Sequence, residues 1–287
     1  MPLTLKWPAG HTLPVIGQGT WRMGEYPGRR AAEVAALQQG ITLGMTVIDT
    51  AEMYGEGGAE RIVGEALQGR RDDVFLVSKV YPHHASHRDM IAACERSLKR
   101  MRTDSMELYL LHWASSTPMD EILEGFTRLK AAGKIQQYGV SNFNLREMQA
   151  LWARPRGAQC CTNQVLYHLG SRGIEFDLLP AMIARKLPIM AYCPTARGGQ
   201  LGQEVTTHPT VVRLAHELEI TPIQLLLAWA VRPWQGQRYV MAIPKAVQPA
   251  HVEENARALH ITLPEQAYTL LDNAFPPPQQ REPLDIL

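Results

Sequence analysis

The stretch Met45-Thr46-Val47-Ile48-Asp49 is a short apolar run that ends on a carboxylate, and the chain repeats this arrangement. Residues 74–79 read Val-Phe-Leu-Val-Ser-Lys, and residues 108–112 read Leu-Tyr-Leu-Leu-His. Later runs also end on polar residues, namely Ser141 and Asn142, Gln164, Tyr192 and Lys245. In a parallel barrel the C-terminal ends of all strands lie on one face, where active sites form. If these runs are barrel strands, they direct reactive side chains into one cavity, which is the layout of an enzyme.

Helical patterns alternate with the apolar runs along the chain. Val34, Leu37 and Ile41, for example, stand at helical spacing. Such alternation favours a parallel sheet of the α/β class. Eight strand–helix units can be counted, with strands near residues 15–19, 45–49, 74–79, 106–112, 135–140, 160–164, 188–192 and 239–243. The sequence therefore predicts a (β/α)8 TIM barrel, and it predicts one domain spanning residues 1–287 because no linker or repeat interrupts it.

Local signals predict how individual elements begin. Residues 3–7 and 11–14 flank Pro8-Ala9-Gly10, which predicts a short N-terminal β-hairpin closing the barrel floor. Thr117 precedes Pro118 ahead of a helical pattern, which predicts an N-cap followed by proline at the first helical position. The same device recurs at Thr221-Pro222-Ile223-Gln224, where Gln224 completes a capping box.

The composition excludes several classes of protein. Lys and Arg total 29 against 28 for Asp and Glu, so no net charge favours nucleic acid or an anionic membrane. The chain has neither a spanning segment of ~20 apolar residues nor a signal peptide, and we expect a cytoplasmic protein, most simply a monomer. Cysteines at 94, 160, 161 and 193 form no C-x-x-C pair, so we expect reduced thiols and no metal site. Cys193 is either a reactive thiol or a buried spectator.

Four residues together suggest a proton-transfer group: Asp49, Tyr54, Lys79 and His112. A phenol has an ordinary pKa near 10, too high for an efficient acid at neutral pH. The ammonium of Lys79, held by Asp49, is expected to lower the pKa of Tyr54. His112 on the next strand is suited to donating a hydrogen bond to a carbonyl. A proton donor of this kind, with no nucleophile beside it, predicts proton delivery to a carbonyl that receives a hydride. Taken singly, each of these residues could equally have a structural role in packing.

Here the chain resembles the aldo-keto reductase superfamily. Residues 47–55, Val-Ile-Asp-Thr-Ala-Glu-Met-Tyr-Gly, are similar to its D-T-A-x-x-Y-G signature, and residues 104–113 to its D-x-x-x-L-x-x-x-H-W stretch. Residues 139–143, Gly-Val-Ser-Asn-Phe, and 242–245, Ala-Ile-Pro-Lys, followed by Asn255, resemble its cofactor segments. The resemblance runs from Val15 to Asn255 and is strongest to bacterial methylglyoxal and general aldehyde reductases.

The resemblance implies a barrel that binds NADP(H) without a Rossmann fold. Tyr54 would be the general acid, with Asp49 and Lys79 as its tuners and His112 orienting the carbonyl. Three further residues, Ser141, Asn142 and Gln164, would bind the nicotinamide carboxamide. Tyr192 would stack on the nicotinamide ring, although simple barrel filling also fits it.

The segment expected to bind the adenosine end departs from the family pattern. Lys245 precedes a helix whose N-terminus would favour phosphate, and Asn255 lies on that helix. Where NADPH-specific members usually carry a hydroxyl residue and an arginine, this chain has Ala246 and His251. We expect NADP(H) to be preferred, because Lys245 remains, with NAD(H) used less efficiently. Arg197, in the Gly-rich loop 197–202, is a candidate pyrophosphate contact, although that loop also fits a solvated turn.

The loops after the strands indicate the substrate. The candidates for the pocket wall are Trp21, Met53, Tyr81 and Trp113. The loop after His112 and the C-terminal tail are both short, which favours small aldehydes and dicarbonyls such as methylglyoxal. Three alternatives to a reductase stay open: a redox-sensing or regulatory subunit that binds cofactor with little turnover, a structural protein on the same scaffold, and a metal-dependent hydrolase that lacks enough ligands.

Overall fold

A computed structural model describes residues 1–196 and 204–287 of the chain. The strands are β1 (Thr4–Lys6), β2 (Thr12–Pro14), β3 (Gln18–Gly19), β4 (Val47–Asp49), β5 (Phe75–Val80), β6 (Met106–Leu111), β7 (Ile135–Ser141), β8 (Asn163–Leu166), β9 (Ile189–Tyr192) and β10 (Val240–Ala242). The helices are α1 (Arg30–Thr42), α2 (Gly58–Ala66), α3 (His87–Met101), α4 (Met119–Ala131), α5 (Leu145–Trp152), α6 (Leu178–Ala184), α7 (Glu204–Thr207), α8 (Pro209–Glu217), α9 (Pro222–Ala230), α10 (Pro249–Arg257) and α11 (Glu265–Ala274).

The main sheet is parallel, and its first and last strands meet. Among the described residues, eight strands run in the order β3 to β10, each paired with its sequence neighbour. Ile16 bridges Ala242 in parallel, and the Gly17 amide donates to the Ala242 carbonyl at 2.8 Å. The Ala242 amide in turn donates to the carbonyl of Val15 at 2.8 Å. The predicted (β/α)8 barrel is therefore confirmed.

Alternate side chains on a barrel strand pack in two different layers of the core. One layer lies between the sheet and the helices, and the other lies inside the barrel. On β5, Leu76 packs among the residues between sheet and helices, whereas Val77 packs inside the barrel. Because side chains alternate along a strand, Lys79 shares the interior side with Val77. The same alternation places Asp49 with Val47. The reactive ends of these strands therefore face the barrel interior.

The N-terminal hairpin covers the barrel floor, as the sequence predicts. β1 pairs antiparallel with β2, and Trp7 beside it is buried against Phe75, the first residue of β5, with ring centroids 5.5 Å apart. The Trp7 indole donates to Gln137 Oε1 at 2.7 Å, and the Gln137 amide donates to the Pro8 carbonyl at 2.9 Å. Both contacts lie near the N-terminal ends of strands, opposite the reactive ends.

Some local boundaries differ from those predicted. Helix α4 begins at Met119, with Pro118 at the N-cap position and no side-chain cap, so the predicted start with Thr117 as N-cap was wrong by one residue. Thr117 instead accepts a hydrogen bond from the Ser115 hydroxyl. The capping box at Thr221 and Gln224 is confirmed.

The cysteines carry no disulfide, as expected. The sixth barrel strand begins only at Asn163, so Cys160 and Cys161 precede it rather than lying on it. They nevertheless face opposite layers, Cys160 toward the helices and Cys161 toward the barrel interior.

The C-terminal tail folds back onto the face that carries the strand ends. Arg281 Nε lies 2.6 Å from Asp177 Oδ2, and the Ser171 hydroxyl donates to the carboxylate of Asp285. Leu284 packs against the core. The sequence indicated only a short, turn-rich tail and not these anchors. No helix among the described residues has the length and apolar character that crossing a membrane requires.

Candidate active site

Lys79, at the end of β5, is the centre of a buried polar group. Its ammonium donates to Asp49 Oδ2 at 2.6 Å, to the Thr50 carbonyl at 2.9 Å and to the Tyr54 hydroxyl at 3.2 Å. Lys79 is fully buried. The turn after β4 returns Tyr54 toward the barrel axis, with Gly55 in the left-handed region at φ 55°. Three of the four residues predicted to act together are thus in direct contact.

His112 follows β6 directly and completes the group. Its ring meets that of Tyr54 edge to face, with centroids 5.7 Å apart. Burial lowers the pKa of His112 to about 2, and the charge on Lys79 contributes to that shift. The imidazole is therefore neutral, and a neutral imidazole offers one N–H donor. Within the described residues, its buried Nδ1 has no hydrogen-bond partner.

The pKa of Tyr54 moves in the direction opposite to the one predicted. Burial raises it well above its usual value, and the negative charge of Asp49 raises it further. Removing the phenol proton in a dry site would create a second anion beside the carboxylate of Asp49. The expectation of a phenol tuned toward neutrality was wrong for this site; Tyr54 is a phenol that keeps its proton.

Burial also acts on the ion pair beneath Tyr54. It lowers the pKa of Lys79 and raises that of Asp49, and in each case the partner's charge opposes the shift. A second donor supports Asp49, because the Gln164 amide donates to its other oxygen, Oδ1, at 2.7 Å. That hydrogen bond also favours the ionised carboxyl.

The residues expected to bind a carboxamide lie together beside this group. The Ser141 hydroxyl donates to the Gln164 carbonyl at 2.8 Å, and the Asn142 amide donates to the His112 carbonyl at 3.2 Å. The Tyr192 hydroxyl donates to Asn142 Oδ1 at 2.8 Å. Asn142 adopts the left-handed region, at φ 57°, which turns its side chain back across the end of β7. Amide and hydroxyl groups thus gather next to the proton-transfer group.

The C-terminal residue Leu287 and the thiol of Cys193 both lie near Tyr192. The backbone of Leu287, at the end of the tail, lies within hydrogen-bond reach of the Tyr192 hydroxyl. Burial raises the pKa of the Cys193 thiol to about 11, which disfavours the reactive thiolate. Arg197 and the Gly-rich loop lie outside the described residues.

The opposite end of the candidate cofactor site lies between β10 and α10. Lys245 follows β10, and α10 starts after Gln248 without a side-chain cap, so its first amides can meet an anion. His251 is exposed in the first turn of α10, and Asn255 is buried on the same helix.

Charged residues from α1 and from the loop before it act on Lys245. Burial lowers the pKa of Lys245, Glu33 and Glu25 oppose that shift, and Arg29 and Arg22 add to it. Sequence reasoning missed these residues, because the barrel brings them to β10 only when the sheet closes. The Gly19 amide donates to the Pro244 carbonyl at 3.0 Å, and this hydrogen bond brings the segment after β3 next to Lys245.

The four candidate pocket residues differ in their surroundings. Tyr81 and Trp113 meet edge to face with centroids 5.9 Å apart, and Trp113 also lies 5.0 Å from the ring of His112. Trp21 is exposed and lies beneath the guanidinium of Arg22, 4.6 Å from its ring centroid. Met53 packs at the edge of the core, next to Tyr54. Tyr81 and Trp113 therefore form one wall beside the proton-transfer group.

This geometry agrees with a family assignment. The model of the Aldo/keto reductase family matches residues 15–275. The chain belongs to the aldo/keto reductase family. It is 50% identical over 276 residues to methylglyoxal reductase YeaE of Escherichia coli, covering 96% of each protein. It is also 27% identical over 267 residues to methylglyoxal reductase DkgB of Salmonella typhi, covering 87% of this chain and 89% of that one.

Solved structures extend the comparison. An aldo/keto reductase from Klebsiella pneumoniae in complex with NADP and acetate is 49% identical, with a TM-score of 0.96 and full coverage of both chains. A complex of an aldo-keto reductase from the same organism with NADPH gives the same values. In this aldo/keto reductase, the uncapped start of α10 beside Lys245 and the amide groups beside the buried proton donor suit a dinucleotide with a phosphate at one end and a carboxamide at the other.

Proposed function

We propose that this aldo/keto reductase catalyses the NADPH-dependent reduction of small aldehydes and dicarbonyls, such as methylglyoxal, to alcohols. The observation that carries this proposal is the position of Lys79, whose ammonium bonds both Asp49 and the Tyr54 hydroxyl in a dry pocket beside neutral His112. The relatives named methylglyoxal reductase and the NADP complexes of similar proteins support the substrate class and the cofactor.

The side chains divide the work of proton delivery. The bound cofactor supplies the hydride that the carbonyl carbon receives. Tyr54 gives its phenol proton to the carbonyl oxygen, which becomes a much stronger base than phenolate during the reaction. Lys79 stabilises the phenolate that remains, and Asp49 holds Lys79 in place. The neutral imidazole of His112 donates a hydrogen bond that orients the carbonyl.

We assign the cofactor contacts to residues on both sides of that group. Ser141, Asn142 and Gln164 bind the carboxamide, and Tyr192 stacks on the nicotinamide ring. At the adenosine end, the 2′-phosphate is held by Lys245, with His251 and Asn255 contributing from α10. NADP(H) is the preferred cofactor and NAD(H) is used less efficiently. Substrate contacts the wall of Trp21, Met53, Tyr81 and Trp113.

The direct test is the consumption of NADPH in the presence of methylglyoxal. We expect loss of nicotinamide absorbance to match formation of the alcohol, one molecule for one. A redox-sensing or regulatory subunit would instead bind NADPH tightly and turn over no carbonyl in a broad panel, and that result would overturn the proposal.

The preference for NADPH over NADH should depend on the side chain at position 251. An arginine can bond a phosphate through two parallel N–H groups, which an imidazole cannot do. In His251→Arg we expect the ratio of kcat/KM for NADPH to that for NADH to rise about threefold, an effect below 1 kcal/mol. An unchanged ratio in this variant would rule out a role for position 251 in binding the 2′-phosphate.

Activity should fall with the size of the carbonyl substrate. The loop after His112 reaches α4 within a few residues, so this loop can build only a shallow pocket wall. We expect kcat/KM for methylglyoxal to exceed that for a steroid ketone by at least about tenfold, because the larger molecule leaves much of its apolar surface in water. Faster turnover of the steroid would contradict this view of the pocket.

We further propose that the protein acts as a cytoplasmic monomer of one domain without nucleic-acid or membrane partners. The near balance of 29 basic and 28 acidic residues supports this proposal. Light scattering at micromolar concentration tests the oligomeric state.

A further inference from the structure

Glu52 is a buried carboxylate that the proton-transfer group does not use. It lies two residues before Tyr54, in the loop that follows β4, and its side chain is only 5% exposed. Burying an ionised carboxylate is costly unless it is paired and hydrogen-bonded. The partners of Glu52 therefore indicate what the residue does.

In the described part of the chain, Glu52 has its partners on β5, on the loop that follows it and on α3. Its Oε1 accepts the backbone N–H of Tyr81 at 2.8 Å and lies 3.0 Å from His84 Nδ1. Its Oε2 lies 3.9 Å from the guanidinium of Arg96 on α3. Its backbone amide donates to the carbonyl of Lys79 at 3.3 Å. Glu52 thus joins the loop that carries Tyr54 to the loop that follows Lys79.

The segment that Glu52 holds carries the pocket wall. The Tyr81 ring lies 4.5 Å from that of His83 and 5.9 Å from that of Trp113, between ring centroids. The next residue, Pro82, accepts a hydrogen bond from Ser115 at 2.7 Å through its carbonyl. Glu52 on one side and Ser115 on the other therefore set the backbone position from which the Tyr81 ring projects.

We infer that Glu52 is a positioning residue that fixes Tyr81 against Trp113 and so sets the fit of the substrate pocket. The inference rests on the proposed reductase function. Among the described residues, the hydrogen bonds and ion pairs of the Glu52 side chain go to Tyr81, His84 and Arg96 and to none of the four residues that deliver the proton. Loss of this side chain therefore affects substrate binding more than the chemical step. A small aldehyde then binds less tightly, whereas NADPH binding does not change.

Steady-state kinetics of Glu52→Ala test this division. We expect KM for methylglyoxal to rise about tenfold, the size expected for loss of one charge-assisted hydrogen bond. We expect kcat and the Kd of NADPH to stay within about twofold. Glu52→Gln should restore KM, because its carboxamide oxygen can still accept from Tyr81. The matched control is Glu121→Ala, which removes a more exposed partner of a histidine, His87, at 3.3 Å and should leave KM unchanged.

A second measurement does not depend on turnover. Hydrogen exchange at the Tyr81 amide should be about tenfold faster in Glu52→Ala and near normal in Glu52→Gln. An unchanged exchange rate would overturn the inference, and so would an unchanged KM in an active variant. If the unsubstituted protein reduces no carbonyl, the proposed function fails, and the exchange rates still decide the role of Glu52.

Discussion

Tyr54→Phe should lower kcat for methylglyoxal reduction by about 10²–10⁴-fold, the range that a positioned general acid contributes. The substitution removes only the hydroxyl group. The remaining ring can still meet His112 edge to face, and Lys79 keeps its bonds to Asp49 and Thr50. We therefore expect the Kd of NADPH, measured by fluorescence titration, to change by less than about twofold.

The raised pKa of Tyr54 gives this prediction a pH signature. The protonated phenol is the donor, so a raised pKa keeps the donor present well into the alkaline range. The neutral state of His112, whose pKa is about 2, adds no change in charge between pH 5 and 9. In the unsubstituted protein, kcat for reduction should vary little over this range. Turnover by Tyr54→Phe at a near-normal rate would remove Tyr54 from the mechanism.

Lys79→Met should lower both stability and activity. Among the described residues, the substitution leaves the buried carboxylate of Asp49 with only the amide of Gln164 as a partner. Breaking a buried ion pair by removing one member costs about 3–5 kcal/mol in the free energy of unfolding. We expect Tm to fall by about 10 °C and kcat to fall by at least about 10²-fold, because nothing stabilises the phenolate.

The effect of Lys79→Met on stability should depend on pH. Burial raises the pKa of Asp49 and Lys79 opposes that shift. In Lys79→Met the opposition is lost, so the folded state binds the Asp49 proton still more tightly than the unfolded state does. Stability contributed by such a group is present at low pH and is lost as pH rises through the folded-state pKa. The loss in Tm should therefore be larger at pH 8 than at pH 5.

The double variant Asp49→Asn with Lys79→Met separates folding from chemistry. Because neither member of the ion pair keeps a charge in this variant, we expect it to recover most of the lost stability. It should not recover activity. Recovery of turnover in this variant would contradict the role assigned to the ion pair, and so would normal stability of Lys79→Met at pH 8.

The sequence predicts those features of the fold that depend on short-range patterns. The apolar runs ending at Asp49, Lys79 and His112 locate three strand ends, and these lie together because the C-terminal ends of all strands in a parallel barrel share one face. The hairpin at the barrel floor and the capping box at Thr221 follow from equally local signals. The start of α4 was wrong by one residue, because Thr117 bonds Ser115 instead of capping the helix.

The sequence did not predict contacts between residues that lie far apart in the chain. It also did not predict a pKa that depends on opposing effects of burial and charge. The contact of Arg281 with Asp177 joins residues 104 positions apart. The loop that carries Arg22 and Arg29 meets Lys245 only after the sheet closes. The pKa of Tyr54 requires weighing burial against a neighbouring charge, and the sequence supplies only the charge. The single domain and the individual roles of the site residues stay predictions.

The carboxylate of Asp49 uses one oxygen for Lys79 and the other for Gln164. Substitutions at these three positions should therefore not be additive, because each changes the worth of the others. If one of these three residues is lost during evolution, the other two contribute little. We therefore expect all three to be retained together. Within the described part of the chain, the side chains of these three residues form no hydrogen bond with the pocket-wall residues Trp21, Tyr81 and Trp113. We therefore expect relatives that reduce other carbonyl compounds to differ at the pocket wall and to keep Asp49, Lys79 and Gln164.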